Sequence, residues 1–150
     1  MIRSFALSIV ASVLLLSYSS QAHEHHAPHK GTLVEFGEEF AHVELVIDAA
    51  TGKVSAYVLD GEAEKSVRIA QKNIVIKVPA KEGGPKEAFD VTLTAQASPL
   101  SGEKEGDTSE FAGQSDMLKG LTNFDATLLI VTVKGKAFEN VKFNFPKGNE

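Results

Sequence analysis

The feature that most limits the fold of this chain is a two-residue alternation, broken at short intervals by turn signals. Across residues 40–48, Ala41, Val43, Leu45 and Ile47 alternate with His42, Glu44 and Val46, which is the period of a strand with one buried face. Residues 48–53 then read as a turn, because Asp48 can bond its own backbone and Gly52 adopts positive φ without steric cost. Residues 54–59 return as the partner strand of a hairpin. Further strand patterns fall at 32–36, 66–70, 73–78, 88–95, 126–133 and 136–145, with Lys134-Gly135 as the tight turn between the last two. Residues 110–121 read as a short helix around 115–119 ended by Gly120, or as an irregular loop. Seven or eight short strands with at most one short helix predict an all-β fold. The expected form is an antiparallel, immunoglobulin-like β-sandwich, with an open barrel as the second choice.

The N-terminus has the layout of a secretory signal. Arg3 precedes an apolar run over residues 5–16, and small residues Ser20 and Ala22 stand three and one before a cut ahead of His23. The run is short for a membrane span; an uncleaved anchor is the competing reading. The chain therefore divides into a signal peptide (1–22), a flexible His-rich tether (23–31), one β-sandwich domain (32–146) and a C-terminal tail (147–150). The expected location is the periplasm or the cell exterior, with no stable membrane insertion after cleavage. Without cysteine the chain has no disulfide, no thiolate nucleophile and no Cys-based metal site. A net charge of −5, with Arg68 the sole arginine after the signal, argues against nucleic acid as a partner.

Chemistry concentrates in the histidines. After cleavage the chain would begin His23-Glu24-His25-His26-Ala27-Pro28-His29, which holds four of the five histidines. Imidazole nitrogens suit copper, zinc and nickel. A free amine two residues ahead of His25 would complete a square-planar set with two amides and one imidazole; alternatively, the amine and ring of His23 would chelate copper together. His42 is the one histidine inside the predicted fold, and strand parity sets it on the same face as Glu44, opposite Val43 and Leu45. There it either joins a metal site, with Glu44 as neighbour or outer acceptor, or is a surface histidine beside a surface glutamate. Asp107, Glu110 and Asp116 lack the spacing of a calcium loop. Residues 113–116 lack the closing glycine of a nucleophile elbow. No catalytic residue or enzymatic activity is expected.

The stretch His26-Ala27-Pro28-His29-Lys30-Gly31-Thr32-Leu33-Val34-Glu35-Phe36-Gly37, continued by residues 41–46 and 52–60, resembles the His-Gly-Gly-x-x-x-Glu-x-Gly region near the N-terminus of periplasmic adaptor subunits of heavy-metal RND efflux systems. Lys30 stands where those adaptors usually carry glycine. The chain has no pattern for their long helical hairpin or lipoyl-like module, so the resemblance implies metal handling rather than pumping. The resulting expectation is a metal-binding carrier or buffer for Cu or Zn. Its candidate ligands are His23, His25, His26, His29, His42 and Glu44, and its expected partners are the metal ion and a component of a heavy-metal efflux system. Two other readings stand beside it: a non-enzymatic interaction module with incidental histidines, and a copper redox protein built on an N-terminal His23.

Overall fold

The computed structural model describes residues 25–149; the expected signal peptide, His23 and Glu24 lie outside them. Eight strands form, namely β1 (Thr32–Phe36), β2 (Ala41–Asp48), β3 (Lys53–Leu59), β4 (Asn73–Val78), β5 (Phe89–Ala95), β6 (Glu110–Gln114), β7 (Phe124–Val133) and β8 (Lys136–Phe145). Two single-turn 3-10 segments, Pro99–Ser101 and Asp116–Leu118, are the only helical elements among the described residues. None of those residues forms a helix long and apolar enough to cross a membrane.

Every strand pairing is antiparallel, and the order is β1-β2-β3-β6-β5-β4-β7-β8 in one continuous sheet. The all-β antiparallel expectation therefore holds. The division into two sheets that an immunoglobulin-like sandwich needs does not appear in the hydrogen bonding, because β5–β6 and β4–β7 pairings tie the two halves into a single ladder. The two ends of that ladder approach each other through the C-terminal segment. Thr32 Oγ1 donates to the Pro146 carbonyl (3.1 Å), and the Asn149 side-chain amide both accepts from Glu35 N (2.8 Å) and donates to Glu35 O (3.0 Å). The Asn149 amide thus mimics a neighbouring strand, and the sheet is nearly closed into a barrel. Residues 147–149 are part of this closure rather than a loose tail, and a Cβ at Gly148 would collide with the Leu33 carbonyl.

The inner face carries the core. Val34, Phe36, Val43, Leu45, Val54, Ala56 and Val58 from β1–β3 meet Ile74, Leu93, Phe111, Leu128 and Phe143. This is the alternation legible in the sequence, and burying branched side chains at about 25 cal/mol per Å² supplies the main driving force. Three local expectations change. Residues 66–70 contribute isolated bridges, Leu59 to Ser66 and Ile69 to Thr108, instead of a strand. Residues 110–114, expected as helix or loop, form β6, because Phe111 pairs with Ala56 of β3 and Ala95 of β5 and fills the core from between them. The helical expectation at 115–119 shrinks to one 3-10 turn capped by the Ser115 side chain.

Candidate metal centre

The site grows from the outer face of β1–β3. Residue pairing across the hairpin sets His42 opposite Leu59 and Glu44 opposite Tyr57, and β1 brings Leu33 and Glu35 alongside. Opposite the core a β-strand face ordinarily meets water, yet His42 and Glu44 are both completely buried. The cover is the N-terminal segment 25–31, which lies against this face. The expectation of a surface His–Glu pair is therefore overturned, and in its described part the tether is docked.

Glu44 holds the segment down. Its Oε1 accepts the backbone N–H of His29 and that of Gly31, each at 2.8 Å, and its Oε2 lies 2.8 Å from His29 Nδ1. Such charge-assisted bonds to a buried carboxylate are among the strongest available to a protein. The chain must approach very closely to make them. A Cβ at Gly31 would lie 2.6 Å from the Leu45 carbonyl oxygen and 2.9 Å from Glu44 Cγ, so only glycine fits. The preceding turn is closed by Lys30 N–H donating to the Ala27 carbonyl (3.0 Å), with Lys30 at φ +60°. That left-handed conformation is one glycine adopts without penalty and lysine does not.

The segment brings histidines to the strand face. The His25 ring meets the His42 ring edge-on, with centroids 4.8 Å apart and planes at 74°. His42 Nδ1 lies 3.1 Å from the Asp60 carbonyl, which can only accept; Nδ1 therefore carries a proton and the ring is held in place. Asp60 is itself fixed. Burial pushes its carboxyl up, but the backbone N–H groups of Lys65 and Glu64 outweigh that and hold it below the ordinary carboxylate range. His29 stacks on Tyr57 with centroids 3.7 Å apart and planes at 11°. An open cleft of about 180 Å³ runs beside His25, walled by Ala27, Thr32 and Lys147.

The predicted residues thus separate into two pairs, His25 with His42 and His29 with Glu44. His26 is exposed and joins neither pair, and His23 is outside the described residues. Among the described residues no three His, Asp or Glu side chains are grouped closely enough to hold an ion. A metal site here would need a further donor from outside the described residues. Glu44, fully buried, uses both of its oxygens to accept from the segment. Sequence reasoning missed Gly31, Tyr57 and the Asp60 carbonyl. Tyr57 was accessible by counting, because the pairing of Asp48 with Lys53 at the hairpin turn puts residue 57 opposite residue 44.

The chain matches no known protein family, no curated protein and no solved structure.

Proposed function

We propose that this is an exported metal-binding protein, a periplasmic or secreted carrier or buffer for Cu or Zn that serves heavy-metal efflux. The observation that carries the reading is the contact between His25 of the N-terminal segment and the buried His42 of β2. Two imidazoles from different parts of the chain, one ring fixed by the Asp60 carbonyl, bring to one face the type of donor that suits a borderline or soft cation. His23 is the natural further donor, through its ring and, after cleavage, its amine; His29 adds an imidazole at the same face. Docking of the segment lowers the ordering entropy that a free His-rich tail would lose on binding. The likeness of residues 26–37 to the efflux adaptors supports the same assignment.

Calorimetric titration of Cu(II) and Zn(II) into protein produced from the full sequence, with its N-terminus read by mass spectrometry, tests the proposal. One-to-one binding that is weakened in H25A and in H42A supports it. Binding no tighter than that of a free peptide of residues 23–29 would overturn it in favour of a β-domain whose histidines are incidental.

A further inference from the structure

We propose that Glu44 is a positioning residue that presets His29 as an outward-facing Nε2 donor for Zn(II) or Cu(II), and is not itself a metal ligand. This rests on, and deepens, the metal-binding reading above. Both Glu44 oxygens are committed: Oε1 to the backbone N–H groups of His29 and Gly31, and Oε2 to His29 Nδ1, all at 2.8 Å. A carboxylate only accepts, so the proton of the neutral His29 ring belongs on Nδ1 and the lone pair on Nε2. Tyr57, stacked nearly parallel at 3.7 Å, fixes the plane of the ring. Glu44 is fully buried while the His29 side chain is 42% exposed. The ring edge turned away from Glu44, which carries Nε2, is therefore the edge that meets solvent. Carboxylates that hold the second nitrogen of a ligating histidine orient the ring and raise its basicity in this way.

The same geometry defines a substitution that changes the tautomer without releasing the segment. In E44Q the two backbone N–H groups require the amide oxygen at the Oε1 position. The NH₂ is then forced towards His29, where it donates to Nδ1. The ring proton moves to Nε2, and the outward lone pair is lost.

Long-range ¹H–¹⁵N spectra of the metal-free protein read the tautomer directly. The unsubstituted protein is expected to show His29 protonated on Nδ1 with bare Nε2, and E44Q the reverse. Slow amide exchange at Gly31 should be retained in E44Q, as evidence that the segment stays docked. Zn(II) alone, titrated into both, should bind E44Q about 10- to 100-fold more weakly. An Nε2–H form in the unsubstituted protein, or an unchanged tautomer in a folded E44Q, overturns the inference. The first of these readings needs no variant, so the test survives if E44Q does not fold. The expected tautomer in a protein that binds no Zn(II) would remove the metal-binding reading while leaving the tautomer-setting role of Glu44 in place.

Discussion

Glu44 Oε2 lies 2.8 Å from Nδ1 of His29, and through this contact a fully buried carboxylate on β2 ties down a residue fifteen positions earlier in the chain. With the two backbone bonds to Oε1, it makes one side chain responsible for seating the N-terminal segment over His42.

Replacing Glu44 by alanine removes the one acceptor shared by three donors of the covering segment. We expect a loss of about 3 kcal/mol, the scale for charge-assisted bonds removed from a buried site. Native-state hydrogen exchange should show the amides of His29 and Gly31 released while β4, β5 and β7 stay protected. Continued protection at Gly31 would mean that other contacts seat the segment.

Gly31→Ala adds only one methyl group but puts it 2.6 Å from the Leu45 carbonyl oxygen, against backbone that cannot swing aside. The expected cost is about 1–3 kcal/mol, measurable by denaturant unfolding. Affinity for Zn(II) should also fall, although no ligand has been removed. Unchanged affinity would separate docking from binding.

His26 is exposed and belongs to neither histidine pair, whereas His42 is buried against His25. H26A should leave metal affinity within about twofold of the parent, and H42A should lower it at least tenfold, a difference of about 1.4 kcal/mol or more. Equal effects in calorimetry would point to a diffuse His-rich tail instead of a site organised by β2.

Imidazole binds a metal only when deprotonated. Metal affinity should therefore weaken as pH falls from about 7 to about 5, the span in which free imidazole takes up protons. An affinity constant across that span would exclude histidine ligands.

A separate acid dependence belongs to the 98–109 loop. Burial pushes the Glu103 carboxyl up, but hydrogen bonds from the Ser109 hydroxyl and backbone and from Ser98 N–H outweigh burial and hold it below the ordinary carboxylate value of 4.5. A carboxyl more acidic in the folded than in the unfolded chain stabilises the fold above that ordinary value. The contribution disappears as pH falls through the folded-state value. E103Q should therefore lower stability at pH 7 and flatten the acid limb of the stability profile; parallel profiles would remove Glu103 as its source.

Local pattern carried much of the architecture. The alternation at Ala41, Val43 and Leu45, the Asp48–Gly52 turn and the Lys134-Gly135 turn set strand identity and hairpin pairing, because a period of two and positive φ are properties of a few neighbouring residues. The same parity put His42 and Glu44 on one face. Their burial was not legible, since what covers them is residues 25–31, whose path depends on three bonds to a carboxylate distant in sequence. β6 was likewise hidden. Phe111 is its one large apolar residue, and Glu110–Gln114 is a strand because β3 and β5 pair with it on either side. The continuous, nearly closed sheet was decided at the same level, by β4–β7 and β5–β6 contacts and by Asn149 reaching Glu35 across 114 residues. Such contacts depend on where distant segments meet in space, and no window of sequence contains both partners.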